Sequence, residues 1–262
     1  MEEIEKPVFI VGIRRSGSTL WRRILEQNKD IVVFGEMQFL WPWEKDFSDF
    51  LRKDIGDLSK EKNVLKMVKL IFSMHPPPHV RFLKLRWGFW ELLRKVNNKE
   101  LENRVYSRIL NSDRSLESIF KALTEETTKH LGYNRFAIKF PVYFNHIPTL
   151  LRWYPNAKII HITRDPRAMA ASKKNDPGGT AKLKAKYPKF SYLIEKAMVI
   201  FVIVQYYWSA RVHNRFKCLQ NYKLFKYEDL LWSPEETVKT LCNFADLQFK
   251  EEMLFPSEGR SS

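Results

Sequence analysis

Apolar positions along the 262-residue chain follow two spacings, one typical of buried strands and one typical of amphipathic helices. Short runs rich in β-branched and aromatic residues predict five strands, at residues 8–13, 31–34, 136–140, 157–163 and 222–227. Apolar residues at helical spacing follow most of these runs, at residues 20–25, 147–153, 194–211 and 238–244. Strands that alternate with helices predict an α/β fold with a central parallel sheet of about five strands, in one domain over residues 1–262.

Residues 41–132 depart from this alternation and predict a helical insertion. One helix is expected around Val64–Ile71, and another around Leu116–Leu123 that ends near Gly132. The insertion also mixes aromatic and basic residues, which either line an acceptor pocket or simply pack a helical layer: Arg81, Lys84, Arg86, Trp87, Phe89 and Trp90.

The most apolar internal run, Ala197–Val204, is shorter than the eighteen or so residues that span a bilayer, so it predicts a buried helix. Only six residues precede the first strand, which leaves no room there for a signal peptide. We therefore expect a soluble cytoplasmic protein without a transmembrane segment.

The net charge of the chain indicates which class of ligand it favours. The chain has 45 Lys and Arg residues against 30 Asp and Glu residues, a formal net charge of +15. Such an excess favours polyanions or anionic small molecules through the summed electrostatic field, and it has no bearing on the fold.

The first strand passes through a glycine-containing loop into a helix, and this loop is the first candidate site. Gly12 and Gly17 have the Walker A spacing, but Ser18 stands where that motif has lysine. Arg15 supplies a cation inside the loop, and the N–H groups of residues 16–19 would converge at the positive end of the helix. The pattern predicts a phosphate or sulfate site, with a strand-to-helix turn that binds nothing as the alternative.

A second candidate anion site follows the strand at residues 157–163. Arg164 leaves the strand end, Asp165 and Pro166 suit a helix N-terminus, and Ser172 lies about two turns further along. Arg164 and Ser172 could hold a second anion. Taken alone, the Arg-Asp-Pro sequence is equally plausible as a helix cap.

These motifs together resemble the sulfotransferase family that uses 3′-phosphoadenosine 5′-phosphosulfate (PAPS). The first family motif stands here as Arg14–Thr19 (RRSGST), and the second as Arg164–Ser172 (RDPRAMAAS). A third segment, Lys226–Leu231 (KYEDLL), is similar to the family's RYEDLL, and Lys139 resembles the lysine after the family's third strand. The resemblance spans residues 7–247, leaves 41–131 unmatched and implies a P-loop-like three-layer fold with strand order 2-3-1-4-5.

The resemblance also implies roles for individual residues. PAPS would be bound by the two motifs, by Tyr227 and by Ser261 near the C-terminus, with the 5′-phosphosulfate on Arg14, Arg15, Ser16, Gly17, Ser18 and Thr19 and the 3′-phosphate on Arg164 and Ser172. Arg15 and Lys139 would neutralise charge on the leaving phosphate. Glu36 follows the second strand, where members with a glutamate base carry it, and would accept the acceptor's proton. His146 and His161 are poorer candidates for the base, and Glu36 could instead pair with an arginine.

We expect no metal, because the donor's charge is met by N–H groups and cations. The acceptor stays open among a carbohydrate, a lipid head group, tyrosine and a small phenol or amine, and the segment 41–132 is expected to select it. Two rival functions remain: a P-loop nucleotide kinase, which would need Mg²⁺ and the Walker A lysine, and a noncatalytic polyanion or nucleic-acid binder. We expect no nucleic-acid partner, because no nucleic-acid-binding module is visible.

Overall fold

The computed structural model describes residues 4, 6–37, 39–40, 47–73, 88–96, 98–141, 143–174, 176 and 179–256. A five-stranded sheet has the order β2-β3-β1-β4-β5. Its strands are β1 (Val8–Gly12), β2 (Val32–Phe34), β3 (Phe136–Pro141), β4 (Lys158–Thr163) and β5 (Tyr222–Lys226). The parallel α/β fold and the strand order predicted from the sequence are both confirmed.

Helices fill most of the remaining described chain. They are α1 (Ser18–Glu26), α2 (Phe47–Phe50), α3 (Glu61–Phe72), α4 (Phe89–Lys95), α5 (Lys99–Leu110), α6 (Leu116–His130), α7 (Ile147–Trp153), α8 (Pro166–Lys174), α9 (Thr180–Lys186), α10 (Ser191–Phe216), α11 (Asp229–Trp232) and α12 (Pro234–Ala245). A π-helical turn, Leu51–Ile55, and three 3₁₀ turns, Tyr143–His146, Pro188–Phe190 and Glu251–Leu254, complete them. Helices α2 to α6 confirm the helical character of the insertion.

Residue contacts divide the chain into two compact units. Unit 1 comprises Met1–Phe9 and Lys29–Ala157, and unit 2 comprises Ile10–Asn28 and Lys158–Ser262. The expectation of one domain over the whole chain stays a prediction.

Unit 1 has a core of aromatic side chains on β3, α6 and the start of β1. The rings of Phe9 and Phe140 lie 5.9 Å apart, and those of Phe120 and Trp153 lie 5.3 Å apart. Within the sheet, β2 and β3 run parallel, with Val32 opposite Phe136 and Phe34 opposite Ile138. This pairing fixes the direction in which the chain leaves β2, just before Glu36.

Unit 2 holds both predicted anion-binding motifs. Strands β4 and β5 are parallel, with Ile159 opposite Tyr222 and Thr163 opposite Lys226, so both reach their carboxyl ends together. Trp21 of α1 is fully buried, and its ring lies 4.9 Å from that of Phe225 in β5. The packing of α1 on β5 holds the first loop beside the segment that follows β5.

The expectation of a buried helix at Ala197–Val204 is wrong. The run lies in α10, and several of its apolar side chains face solvent, with 61% of Ile200 and 53% of Val204 exposed. The stretch Pro188–Phe216 is long and apolar enough to cross a membrane by length and composition, and only 11% of its most apolar window is buried. The apolar run correctly predicted a helix, but it wrongly predicted that the helix is buried in the protein core.

Candidate active site

The loop between β1 and α1 turns sharply because two of its residues have positive φ. Arg15 has φ +75° and Gly17 has φ +88°, and the N–H of Ser16 donates to the carbonyl oxygen of Ile13 at 3.1 Å. A left-handed arginine is strained, since only glycine takes this conformation without steric cost. Helix α1 then starts at Ser18, so the N–H groups of its first turn point out of the helix end, as an anion site requires.

Gly17 is required by a neighbouring side chain as well as by its own backbone. A Cβ at this position would lie 2.2 Å from Cδ2 of Tyr227. The Tyr227 ring also stacks on Arg164, whose Cζ lies 4.2 Å from the ring centroid. The structure thus brings together three residues that the sequence assigned to three separate motifs.

Two hydrogen bonds join the motifs directly. Nε of Arg15 donates to Oγ of Ser172 at 2.9 Å, and the backbone N–H of Asp165 donates to Oε1 of Glu228 at 3.0 Å. Asp165 in turn caps α8, since its carboxylate accepts from the N–H of Arg167 at 2.8 Å. The cap and the anion site were alternative interpretations of this sequence, and the structure is compatible with both at once.

Polar atoms of this cluster remain available for a ligand. Within the described part of the chain, Oγ of Ser16 and Nε of Arg164 are buried without a hydrogen-bond partner. Six other buried side-chain atoms of the described residues also lack a hydrogen-bond partner, so these two are compatible with a ligand or ordered water and do not by themselves mark a site. Both atoms donate to oxygen, which fits the phosphate and sulfate oxygens of the expected donor.

A further cation, Lys173, adds to the positive charge of unit 2. Burial and the neighbouring charge of Arg14 lower the pKa of Lys173 to about 8, against an opposing effect of Asp176. Its Nζ donates to Oε1 of Gln205 at 3.0 Å. An anion that binds near two such cations relieves the repulsion between them. A partly buried lysine whose pKa is lowered by a neighbouring arginine therefore favours anion binding.

Unit 1 holds two further candidate residues, a carboxylate and an ammonium group that lie side by side. Oε1 of Glu36 lies 2.8 Å from Nζ of Lys139 in β3, and the Lys139 side chain is only 10% exposed against 35% for Glu36. The pairing alternative for Glu36 is therefore observed, with a lysine as the partner in place of an arginine.

The main chain of Glu36 is held by the start of α4. Its carbonyl oxygen accepts from the N–H of Phe89 at 3.1 Å, and Gly88 forms a bridge with Glu36. A Cβ on Gly88 would lie 2.1 Å from that carbonyl oxygen, so glycine is required here for close approach. Gly88 therefore positions Glu36.

The structure removes His161 as a candidate base. It is fully buried in β4, Nε2 lies 2.8 Å from Oγ of Ser209, and Nδ1 lies 2.6 Å from the hydroxyl of Tyr222. Burial lowers the pKa of His161 to about 3, with a smaller effect of His213. His146 ends the 3₁₀ turn after β3, and its place as an alternative base stays a prediction.

Some predicted residues fall elsewhere. Phe89 and Trp90 are fully buried and pack against each other, which supports the packing interpretation for these two. Ser261 and the remaining aromatic and basic candidates lie outside the described residues: Arg81, Lys84, Arg86 and Trp87. Among the residues that are described, no group of three His, Cys, Asp or Glu side chains is placed to hold a metal ion. Metal-independent transfer stays a prediction.

Sequence reasoning missed Lys173, Gly88 and Glu228. Lys173 stands beside Ser172 in the last turn of α8, where a lysine also suits the helix dipole, so its sequence context gave no distinct signal. Gly88 acts through a contact with Glu36, which is distant in the sequence, so no local pattern reveals it. Glu228 lies within the KYEDLL segment, and its position there was the one available clue.

Comparison with known proteins agrees with this geometry. A family model described as "Sulfotransferase family" matches residues 7–251. A Caenorhabditis briggsae protein named "Putative protein-tyrosine sulfotransferase" is 25% identical over 264 residues, 98% of this chain and 71% of the relative. A Caenorhabditis elegans protein of the same name is 28% identical over 61% of this chain and 55% of its own length.

Two solved structures share the fold. The sulfotransferase domain of the Synechococcus PCC 7002 olefin synthase has a TM-score of 0.58 and 19% identity, over 99% of this chain and 79% of that domain's chain. A sulfotransferase domain from the curacin biosynthetic pathway has a TM-score of 0.51 and 19% identity, over 98% and 80% of the two chains.

The contact between Gly17 and Tyr227 yields the first prediction. Gly17→Ala adds a methyl group against the ring, so the affinity for adenosine 3′,5′-bisphosphate should fall roughly tenfold or more, measured by calorimetric titration. Gly132→Ala is the matched control, because Gly132 has φ +80° and a Cβ there meets nothing within 4 Å. Gly132→Ala should lose about 1–2 kcal/mol of stability to backbone strain, and Gly17→Ala should lose more because of the added clash with Tyr227. Equal affinities in the two variants would contradict a role for the contact in the site.

The second prediction concerns pH. Lys173 carries its charge below a pKa of about 8, so the affinity for the bisphosphate should fall as the pH rises through that value. The fall should be roughly tenfold if the bound anion raises this pKa by about one unit. Lys173→Arg keeps the charge at every accessible pH and should abolish the fall, as followed by titration at a series of pH values. The same fall in the arginine variant would show that another group is responsible.

Proposed function

This chain belongs to the sulfotransferase family, and on that premise we propose that it moves a sulfuryl group from PAPS to a hydroxyl or amine of an acceptor, with Glu36 as the general base. Membership of the family makes the protein a sulfotransferase enzyme.

One observation carries the choice of donor. The hydrogen bond from Arg15 to Ser172 joins the loop expected to bind the 5′-phosphosulfate to the helix expected to bind the 3′-phosphate. A nucleotide with phosphate groups at both positions matches two linked anion sites, and a 5′-nucleotide alone would leave one of them empty. The unsatisfied Ser16 Oγ and Arg164 Nε are the atoms that such a ligand would satisfy.

PAPS would supply an activated sulfuryl group whose departure leaves adenosine 3′,5′-bisphosphate. The guanidinium of Arg15 and the N–H groups of Ser18 and Thr19 would bind the oxygen on which negative charge develops as the sulfur–oxygen bond breaks. Arg164 would hold the 3′-phosphate through its planar fork, and Tyr227 keeps that fork in place by stacking. Preorganised cations of this kind lower the barrier without having to reorient during the reaction.

Glu36 and Lys139 would handle the proton and the remaining charge. As the acceptor oxygen bonds to sulfur, its proton would pass to the Glu36 carboxylate, and the Lys139 ammonium would stabilise charge on the leaving phosphate. Their ion pair holds both side chains ready in the free protein. Gly88 supports this role, because it fixes the main chain from which the Glu36 side chain extends.

The names of two relatives suggest which acceptor to test first. Two of them carry the name putative protein-tyrosine sulfotransferase, so a tyrosine phenol in a peptide leads the candidates, ahead of carbohydrate, lipid head group and small phenol. The segment 41–132 is proposed to select the acceptor. A P-loop kinase is disfavoured by Ser18 in the position of the Walker A lysine and by the family itself.

The nucleotide assignment can be tested without knowledge of the acceptor. Adenosine 3′,5′-bisphosphate should raise the melting temperature of the protein far more than AMP or ATP does at the same concentration. A ligand present at about a hundred times its Kd stabilises the native state by roughly 2.7 kcal/mol, which a melting curve resolves readily. Equal stabilisation by AMP and the bisphosphate would refute the proposed donor.

Arg164→Ala should remove the preference for the 3′-phosphate while weaker binding through the first loop persists. Arg167→Ala is the matched control, since its side chain is 91% exposed and pairs with Asp165. The control should keep the wild-type preference. Loss of preference in both variants would point to damage to α8 instead of a lost contact.

The role of Glu36 is tested by Glu36→Gln, which keeps the shape and removes the basicity. Turnover should fall by about 10²–10⁴, while stabilisation by the bisphosphate should be retained. Glu91→Gln is the control, because Glu91 is 31% exposed and also pairs with a lysine, Lys95, at 3.3 Å. Single-turnover sulfation by Glu36→Gln at the wild-type rate would remove Glu36 from the role of base.

A further inference from the structure

Helix α10 has the reverse of the usual amphipathic arrangement. Its buried positions are Val202, Gln205 and Ser209, two of which are polar. Its exposed positions are mostly large and apolar: Leu193, Val199, Ile200, Phe201, Ile203, Val204, Tyr207 and Trp208. A surface helix of a soluble protein normally turns its apolar stripe to the core, so this arrangement indicates that the outer face meets an apolar environment.

Polar contacts fix this orientation. Oγ of Ser209 hydrogen-bonds to His161 in β4, and Gln205 accepts from Lys173 in α8. The partner side chains come from the sheet and from the helix that carries Ser172. A rotation of α10 that buried Ile200 would break both bonds and take Ser209 from Nε2 of His161 and Gln205 from Nζ of Lys173, which is costly for buried groups.

The exposed apolar face is bordered by positive charge. Four cations occur along Pro188–Phe216, namely Lys189, Lys196, Arg211 and Arg215, while Glu195 is the single acidic residue of that stretch. Glu195 pairs with Lys174 at 3.2 Å and with Lys184 of α9. The border therefore carries a net positive charge.

Aromatic rings flank the aliphatic centre of α10 and lie next to these cations. Nζ of Lys196 lies 4.5 Å from the ring centroid of Tyr192, and Cζ of Arg211 lies 5.3 Å from that of Tyr207. Tyrosine, tryptophan and basic side chains are the residues that accumulate where hydrocarbon gives way to lipid head groups. Ile200, Ile203 and Val204 lie between them, 61%, 56% and 53% exposed.

We propose that the outer face of α10 docks onto an anionic lipid bilayer and lies in the interface plane, with its aliphatic centre in the acyl region. Negative head groups complement the cationic border, and the protein's net charge of +15 adds a favourable long-range term. A second copy of the chain would bring two cationic borders together. A bilayer-spanning arrangement would tear Gln205 and Ser209 from their partners, so the helix lies on the membrane while it remains packed on unit 2.

The test is sedimentation of the full chain with lipid vesicles. The protein should pellet with vesicles of phosphatidylcholine mixed with phosphatidylserine, bind pure phosphatidylcholine much more weakly, and dissociate as salt is raised. Ile200→Gln with Val204→Gln removes apolar area from exposed positions and keeps helix propensity, so binding should weaken by about tenfold or more. Leu65→Gln, at a 37% exposed helical position in unit 1, is the matched control and should bind as wild type.

Two further measurements separate a loss of membrane contact from a loss of folding. Ile200→Leu with Val204→Leu should restore vesicle binding, and stabilisation by the bisphosphate should be unchanged in every variant, which shows that unit 2 is folded. Vesicle binding equal in the glutamine variant and wild type would overturn the proposal. So would a lipid-free dimer that depends on Ile200 and Val204 and does not bind vesicles, because the face would then belong to a second copy.

Discussion

The contact between Gly17 and the ring of Tyr227 is the constraint on which the proposed donor site of this sulfotransferase depends. Position 17 needs glycine for two reasons: its φ is +88°, and the ring of Tyr227 lies where any other residue would carry its Cβ. Because Tyr227 fills that place, it can also stack on Arg164. Because Gly17 has no Cβ, Tyr227 after β5 can contact both the loop after β1 and Arg164 after β4.

Around this contact, unit 2 gathers several cations. Arg14 lies close enough to Lys173 to help depress its pKa, and Arg15 is hydrogen-bonded to a serine hydroxyl. Such an arrangement is unfavourable in the free protein, and a bound polyanion relieves it. Unit 1 shows the opposite case, since Lys139 and Glu36 neutralise one another at 2.8 Å. In the proposed mechanism, the cations of unit 2 bind the anionic donor, and the Glu36–Lys139 pair of unit 1 serves proton transfer.

Much of the fold followed from the sequence because strands of buried β-branched residues and glycine-containing turns have strong local signals. The motifs at Arg14–Thr19 and Arg164–Ser172 were recognisable for the same reason, since helix N-termini impose local requirements. The burial of α10 was wrongly predicted, because an apolar run signals an apolar environment without saying whether protein or lipid supplies it. Gly88 and Lys173 could not be found, since their roles arise from contacts with Glu36 and from burial in the folded chain.

The central claim is that the first loop and the helix carrying Ser172 form one donor site, and a double-mutant cycle tests it most directly. The affinity for adenosine 3′,5′-bisphosphate would be measured by calorimetric titration for wild type, Arg15→Met, Ser172→Ala and the double variant. Because Nε of Arg15 bonds to Oγ of Ser172, the two losses should be non-additive, with a coupling free energy of about 0.5–3 kcal/mol. Losses that add to within a few tenths of a kilocalorie would show two independent contacts and contradict a single linked site.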